Sequence, residues 1–200
     1  VMANLTNVNI NGALIRKEGT LSFSPQSNMF PQPHTAVGTS IWYASSAVDP
    51  NNANKLVVAY RDMSDSNKGK LRIGTIQSNN TIVWGTESTF NNDITQDITV
   101  AWDYNSGTSY IVIVFNEQNN SWKSSAIIGT VSGTSISGYG TKKQIANASP
   151  NHQNGYNYVA FDPNTNGKFV ISEDQHLSVC THNGSTITQG TIVLRGTVST

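Results

Sequence analysis

Short apolar runs separated by polar, Asn-rich turns recur along the chain. Segments 57–60 and 111–115 are almost continuously apolar and rich in β-branched and aromatic residues, which predicts strands covered on both faces. Segment 81–84 alternates between polar and apolar residues, as expected for a half-buried strand. No stretch of ten or more residues has the spacing of an amphipathic helix. The pattern therefore predicts an all-β protein.

The strands fall into a repeat that an aspartate marks. In each unit the aspartate follows an apolar run and opens an Asn-rich turn, and a further apolar run begins seven residues later. The aspartates are Asp49, Asp103 and Asp162, and the following runs begin at Leu56, Tyr110 and Phe169. A second repeated segment follows in each unit: "LRIGTIQSNNTIVWG", "AIIGTVSGTSISGYG" and "LSVCTHNGSTITQG". Thr75, Thr130 and Thr181 occupy equivalent positions in it.

The aspartates are 54 and 59 residues apart, and each unit contains four short predicted strands. Four-stranded units at this spacing are typical of β-propeller blades. We expect a half unit at 1–30, repeat units at about 40–90, 91–145 and 146–190, and a closing strand at about 191–200. These units predict a β-propeller of about four blades, closed by strands from both termini. If the chain is a fragment, the units belong to a larger propeller or are completed by another subunit.

Two segments carry a resemblance to a known group of proteins. Residues 48–62, "VDPNNANKLVVAYRD", and 126–137, "AIIGTVSGTSIS", resemble repeats in tail-fibre and other virion-associated proteins of marine bacteriophages and in related bacterial surface proteins. The resemblance covers roughly residues 40–190. It implies an adhesion role on a virion surface or in the extracellular space. We therefore expect a non-enzymatic surface protein that binds a host cell-surface glycan or acts as a structural module, with other virion or surface subunits as further partners; the alternative is a purely structural assembly unit of a fibre or capsid decoration. The third unit departs from the pattern, since Cys180 stands where Gly74 and Gly129 stand.

Composition limits the partners. The chain has 12 Lys and Arg against 12 Asp and Glu, and only 12% of its residues are charged. A nucleic-acid or polybasic membrane-surface protein needs a basic surplus, so we expect neither partner. No apolar run reaches 18 residues, which predicts no membrane insertion. Asn, Ser and Thr fill 68 of the 200 positions and supply the polar surface instead.

The scarce charges recur where the second strand of each unit ends, so ring symmetry places them on one rim of the predicted propeller. We expect a sugar to stack on an aromatic side chain there, while carboxylates and amides bind its hydroxyls. The alternative is that these charges only keep the strand ends solvated. The candidate ligand-binding residues are Arg61, Asp62, Asn116, Glu117, Trp122, Glu173 and Asp174.

Paired carboxylates also suggest a secreted carbohydrate-active enzyme, with Glu117 and Glu173 set against Asp62 or Asp174. The Ser-x-Asp-x-Gly box of sialidases is absent, and repeated equivalent positions do not supply the unlike environments that an acid and a base need. We therefore expect no enzymatic activity and no cofactor.

Metal binding is also considered. His176, Cys180 and His182 offer three zinc ligands without a fourth, with His176 expected in the turn before the strand that holds the other two. Calcium would require the repeat aspartates, but an aspartate after a strand usually accepts hydrogen bonds from its own turn. We expect no metal site.

Overall fold

The structure is a computed structural model that describes residues 8–10, 13–15, 41–52, 54–104, 107–145, 157–173 and 176–194; at 8–10, 13–15 and 194 it describes the backbone only. The described chain is all-β, and every strand pair in it is antiparallel. The prediction of an all-β protein with antiparallel strands is confirmed. Because each strand is rich in β-branched and aromatic residues and ends at a polar turn, neighbouring strands pair through short connections.

Three antiparallel sheets, of five, five and four strands, follow one another along the chain after a hairpin of β1 (Val8–Ile10) and β2 (Ala13–Ile15). Sheet 1 contains β3 (Ile41–Val48), β4 (Lys55–Asp62), β5 (Lys68–Ile76) and β6 (Ile82–Trp84), with β7 (Ser88–Asn91) also paired to β5. Sheet 2 contains β8 (Thr95–Trp102), β9 (Tyr110–Glu117), β10 (Ser124–Ser132) and β11 (Ser135–Tyr139), with β12 (Lys143–Gln144) also paired to β10. Sheet 3 contains β13 (Asn157–Phe161), β14 (Lys168–Glu173), β15 (His176–His182) and β16 (Ile187–Leu194).

The repeat aspartates close the first turn of each sheet. The backbone N–H of Asp49 donates to the carbonyl of Lys55 at 2.9 Å, and Asp103 and Asp162 make the corresponding bond. The Asp49 carboxylate also accepts from the backbone N–H of Asn51 at 2.9 Å. The Asp162 carboxylate accepts likewise from the Asn164 N–H at 2.9 Å, so Asp49 and Asp162 stabilise their own turns as the sequence predicts, whereas the Asp103 carboxylate contacts His182 of sheet 3.

The strand register shows which residues of the three sheets are equivalent. Leu56, Ile111 and Phe169 pair with Gly74, Gly129 and Cys180 respectively. The apolar position that follows the aspartate thus comes seven residues later in sheets 1 and 3 and eight residues later in sheet 2. By the same register, Arg61 is equivalent to Asn116, and Asp62 to Glu117.

Sheet 2 is covered on both faces. In β9, Ile111, Ile113 and Phe115 belong to a core cluster shared with sheet 1, while Val112 and Val114 belong to a cluster shared with sheet 3. This alternation confirms the prediction that 111–115 is buried on both sides. In β4 only Val57 and Ala59 enter a core cluster. The outer faces of sheets 1 and 3 are not covered by another described sheet.

Equivalent glycines fix the close approach of neighbouring sheets. A Cβ built on Gly85, after β6, would lie 1.8 Å from the carbonyl oxygen of Thr134 in the β10–β11 turn of sheet 2. A Cβ on Gly140, after β11, would lie 2.4 Å from the carbonyl oxygen of Ser185 in the β15–β16 turn of sheet 3. Sheet 1 therefore meets sheet 2 in the same way as sheet 2 meets sheet 3.

The predicted closure of a ring by strands from both termini is not seen among the described residues. No described sheet closes on itself, and among the described strands β16, which contains residues 191–194, pairs with β15. The rest of the expected closing strand, 195–200, and most of the expected half unit at 1–30 lie outside the described residues. Within the described chain, no helix has the length and apolar character needed to cross a membrane.

Candidate functional site

Two adjoining pockets lie where β9 ends: the first is between sheet 1 and sheet 2, and the second is formed by sheet 2 and its connections. The first has a volume of about 400 Å³ and lies over Phe90 and Ile127. The second has a volume of about 300 Å³ and is lined by Ser125 and Gln144, among others. Both pockets are also lined by Glu117, Asn119 and Lys142. We call the two pockets together the rim groove; its other lining residues are Asn91, Asn92, Asp93 and Asn120.

Glu117 is the central side chain of the rim groove. It is the last residue of β9 and is only 4% exposed. The Ser125 hydroxyl donates to its Oε1 at 2.7 Å, and the Lys142 ammonium donates to its Oε2. Because Ser125 lies on the neighbouring strand β10, the sheet itself positions one carboxylate oxygen, whereas a side chain from the β11–β12 connection holds the other.

Hydrogen bonds between two connections build the wall of the groove. Asp93, in the β7–β8 connection, accepts from the backbone N–H of Asn119 at 2.5 Å. The amide of Asn91 donates to the hydroxyl of Thr95 at 2.9 Å, and Gln118 N–H donates to the carbonyl of Ile94 at 3.1 Å. The short 3₁₀ helix Gln118–Asn120 is thereby fixed to the β7–β8 connection.

A buried polar network lies near the groove, where the first strands of the three sheets meet. Asp97 has a positive φ of 49° in an irregular part of β8, and its Oδ2 accepts from the Asn116 amide at 3.0 Å. Asn157 of sheet 3 donates to the Asp97 carbonyl at 3.0 Å and to Asn116 Oδ1 at 2.9 Å. Burial raises the pKa of Asp97 to about 6, against the opposing effects of the Asn116 hydrogen bond and the Arg61 charge.

Arg61 lies beside this network and is 7% exposed. Its guanidinium carbon is 5.2 Å from the ring centroids of both Trp42 and Tyr43. Its Nε has no hydrogen-bond partner among the described residues. Arg61 is therefore held mainly by aromatic contacts and by its attraction to Asp97.

Asp62 belongs to an ion network on the outer face of sheet 1. It accepts from Lys70 at 2.8 Å, and the same ammonium lies 3.0 Å from Asp65 and 2.9 Å from Glu87. Burial alone would raise the pKa of Asp62, but hydrogen bonds from Lys70 and Ser64 outweigh it and hold the pKa below its ordinary value. Asp62 thus has a partner that differs from that of the equivalent Glu117.

Two of the remaining predicted site residues, Trp122 and Glu173, do not line the rim groove. Trp122 has a left-handed backbone, with a φ of 61°, and its N–H donates to the Glu117 carbonyl at 2.9 Å; its side chain is half-buried and is not part of the groove lining. Glu173 is buried opposite His176 at the end of sheet 3, one position before the equivalent of Arg61 and Asn116. Asp174 lies outside the described residues.

Sequence reasoning identified Glu117 but missed the side chains around it. Lys142 lies in the β11–β12 connection of sheet 2, Asn91 ends β7 and Asp93 lies in the β7–β8 connection, and no spacing in the sequence links the three to Glu117. The pairing of β12 with β10 brings Lys142 to Glu117, and the packing of sheet 1 on sheet 2 adds Asn91.

The carboxylates of the groove already accept hydrogen bonds from the protein. Glu117 accepts from Ser125 and Lys142, and Asp93 accepts from two backbone N–H groups. Such carboxylates can accept a further hydrogen bond from a hydroxyl through their remaining lone pairs. The arrangement suits the recognition of a polar ligand, with amide groups as both donors and acceptors.

His176, Cys180 and His182, the three residues considered for zinc, all lie in strand β15. Within the described residues, no group of three or more His, Cys, Asp or Glu could hold a metal ion. The expectation that His176 precedes the strand is wrong, because His176 is the first residue of β15 and pairs with Glu173. Burial and the nearby charge of Glu173 raise the pKa of the Cys180 thiol to about 11.

His182 joins sheets 2 and 3. The Gly184 N–H donates to its Nδ1 at 3.1 Å, so its Nε2 carries the proton and donates to the Asp103 carboxylate at 3.1 Å. Rings of Tyr110, Phe161 and Phe169 surround it. Both ring nitrogens are therefore used in a structural contact.

Comparison of the chain with family models and with curated proteins gave no match. The inference of function therefore depends on the residues of the site itself.

Proposed function

We propose that the protein is a non-enzymatic β-propeller module of a virion or cell surface that adheres to a host glycan through the rim groove. On this proposal the protein is related to phage tail-fibre and bacterial surface repeat proteins, is located on a virion or outside the cell, and catalyses no reaction. The observation that carries the proposal is the rim groove, in which a carboxylate, an ammonium and several amides surround two apolar side chains.

The packing of the sheets supports a propeller. The first strands of the three sheets are neighbours, with β8 between β3 and β13. Ser45 of β3 accepts from the Val100 N–H of β8 at 3.2 Å, and Asn157 of β13 donates to Asp97 of β8. First strands that adjoin in this way, with equivalent glycine contacts at the outer strands, are the arrangement that successive blades adopt around an axis.

The chemistry of the groove supports a sugar ligand. Sugars offer many hydroxyls together with apolar faces of C–H groups, and they fit a site with amides and a carboxylate above an apolar floor. Phe90 and Ile127 supply the floor, and Asn91, Asn119 and Glu117 supply hydrogen-bonding groups.

Screening the protein on a glycan array and then titrating the best ligand by calorimetry tests this function. We expect a glycan that binds and raises the melting temperature, and we expect Asn119→Ala to weaken binding about tenfold, the effect of losing about 1.4 kcal/mol. Trp122→Ala tests whether that ring also stacks on the ligand. Tyr158→Ala removes an exposed aromatic ring from sheet 3 and serves as the control. If no glycan or host cell surface binds the protein, adhesion is excluded.

An assembly unit of a fibre or capsid decoration is a second candidate, and the outer face of sheet 3 favours it. Tyr158, Val179 and Val193 are 63%, 39% and 55% exposed there. Lys168 is the one charged side chain that the described strands place on this face, so two copies of the chain could meet on it without strong repulsion. Tyr158→Glu should then abolish concentration-dependent dimers in analytical ultracentrifugation. A monomer at all concentrations would exclude this pairing.

A further inference from the structure

We propose that the two pockets of the rim groove form one site for an uncharged oligosaccharide, and that Lys142 leaves Glu117 when this ligand binds. The inference rests on the proposed function, because it names the class of glycan and the residue that admits it. It assigns to Lys142 the role of a movable partition between the pockets.

The lining of the groove supports a single site. Glu117, Asn119 and Lys142 border both pockets, so these residues lie where a space of about 400 Å³ adjoins one of about 300 Å³. Glu117 and Lys142 are directly bonded across this boundary. Moving the lysine would join the two spaces into an elongated groove and would leave Glu117 Oε2 facing the ligand.

The two partners of the ion pair differ in how firmly they are held. The Glu117 side chain is 5% exposed and is anchored through Oε1 by Ser125 on the adjacent strand. The Lys142 side chain is 43% exposed and is attached to a connection, not to a strand. A lysine side chain has four rotatable carbon–carbon bonds, so the Lys142 ammonium can turn toward solvent. A ligand hydroxyl that donates to Glu117 Oε2 would then replace the hydrogen bond that the buried carboxylate loses. Lys142 is therefore the partner that moves.

The charges of the groove select an uncharged ligand. Once Lys142 has moved away, Asp93 and Glu117 are the remaining charged lining residues, and both are negative. They repel the carboxylate of a uronic or sialic acid but accept hydrogen bonds from hydroxyls. The other polar lining residues are neutral and can pair with hydroxyl or acetamido groups: Asn91, Asn92, Asn119, Asn120, Ser125 and Gln144.

Amine labelling measures the movement of Lys142 directly. We would treat the folded protein with a limiting amount of an amine-reactive reagent, with and without saturating oligosaccharide, and quantify each lysine by mass spectrometry. The probes are chitotriose and maltotriose, with trigalacturonate as the acidic counterpart. We expect a neutral trisaccharide to increase labelling of Lys142 at least threefold. Lys168 is the matched control, because its side chain is also 43% exposed and lies 4.0 Å from Asp162, yet it is on sheet 3.

Affinity measurements with two variants complete the test. Glu117→Gln should weaken neutral trisaccharide binding at least tenfold, whereas Lys142→Gln should preserve or improve it, because the displaced side chain is absent. Lys168→Gln should leave the affinity unchanged. Circular dichroism and melting curves show whether each variant folds, and the labelling result on the unmutated protein stands independently of them.

The outcomes separate this inference from the proposed function. If trigalacturonate binds as well as the neutral trisaccharides, or if Lys142 stays protected in the complex, the inference is wrong while glycan binding survives. A loss of affinity in folded Lys142→Gln equal to that in Glu117→Gln would also overturn it, since Lys142 would then be a direct ligand contact. If neither the array nor these probes bind, the proposed function itself fails.

Discussion

Asp97 and His182 are two buried titratable residues that respond to pH in opposite directions. Asp97 has a folded pKa of about 6, above the ordinary aspartate value, so the folded state binds a proton more readily than the unfolded state between about pH 4 and 6. Burial lowers the pKa of His182, against the opposing effects of Asp103, so the unfolded state binds its proton more readily below about pH 6.5. Acidification therefore raises the Asp97 contribution to the free energy of unfolding and lowers the His182 contribution.

We predict that Asp97→Asn removes the stabilising component of acidification. In the unmutated protein, the Asp97 contribution to the free energy of unfolding should rise by about 2 kcal/mol as the pH falls from 7 to 4. Urea denaturation at pH 4 to 7.5 should therefore show a steeper loss of stability on acidification in Asp97→Asn than in the unmutated protein. His182→Gln should change the profile in the opposite sense, with a weaker loss below pH 6.5. Parallel profiles of all three proteins would contradict this assignment.

Lys70 is a buried cation that three carboxylates share. Its side chain is 9% exposed, and removing it would leave the Asp62, Asp65 and Glu87 carboxylates close together. Burial would raise the pKa of Glu87, but hydrogen bonds from Tyr60 and Lys70 outweigh this effect and lower it. Since Asp62 and Glu87 have lowered folded pKa values, their stabilising effect is present above about pH 4 and is lost as the pH falls through the folded values.

We predict that Lys70→Met lowers the free energy of unfolding at pH 7 by about 3 kcal/mol, because it leaves partly buried carboxylates without their cation. Lys68→Met is the matched control: Lys68 contacts Asp65 at 2.9 Å, but its side chain is 29% exposed, so the loss should stay below about 1 kcal/mol. Urea denaturation of both variants measures the difference. Equal losses would mean that the shared cation has no special role.

At the scale of elements, Gly140 lies at the junction between the outer strand of sheet 2 and the β15–β16 turn of sheet 3. A backbone carbonyl, which cannot rotate away as a side chain does, occupies the place of its absent Cβ. The adjacent Thr141 N–H donates to the same Ser185 carbonyl at 2.8 Å. Any side chain at Gly140 would therefore separate the turn from the sheet.

We predict that Gly140→Ala destabilises the protein by about 2 kcal/mol through this overpacking. Gly138→Ala is the control, because a Cβ at Gly138, also in the β11 region, meets nothing within 4 Å. Differential scanning calorimetry should show a clearly lower melting temperature for Gly140→Ala alone. Similar melting temperatures for the two variants would show that the turn moves without cost.

The strands were predictable because their signals are local. Runs such as 111–115 have the β-branched and aromatic composition of strands, and Asp49 and its equivalents mark turns that close through neighbouring residues. The glycines at 85 and 140 stand in the repeat, but their function depends on carbonyls of the following unit. Local sequence contains no signal for such a contact between sheets.

Of the candidate site, only Glu117 was predictable from the sequence, because it is a charged residue at the end of an apolar strand. Lys142 reaches Glu117 through the pairing of β12 with β10, and Asp93 reaches the groove from the β7–β8 connection, so both are far from Glu117 in the sequence. Equivalent positions in the repeat also have different ion-pair partners, which the repeat pattern does not predict: Asp62 pairs with Lys70, whereas the equivalent Glu117 pairs with Lys142.

At the scale of the whole molecule, sheet 2 alone among the three large described sheets is covered by described sheets on both faces. Sheets 1 and 3 each pack on it with one face, and no other described sheet covers their outer faces. Stacked units of this kind are stabilised mainly by the contact between neighbours.

The placement of β9 has a consequence for how the molecule unfolds. Alternate side chains of this single strand enter two different hydrophobic clusters, so sheet 1 or sheet 3 cannot separate from sheet 2 without exposing one side of β9 to water. In an extended repeat array the end units can come apart while the middle persists. Here the opening of sheet 1 exposes Ile111, Ile113 and Phe115, whereas the opening of sheet 3 exposes Val112 and Val114, so each outer sheet is held by its own side of β9.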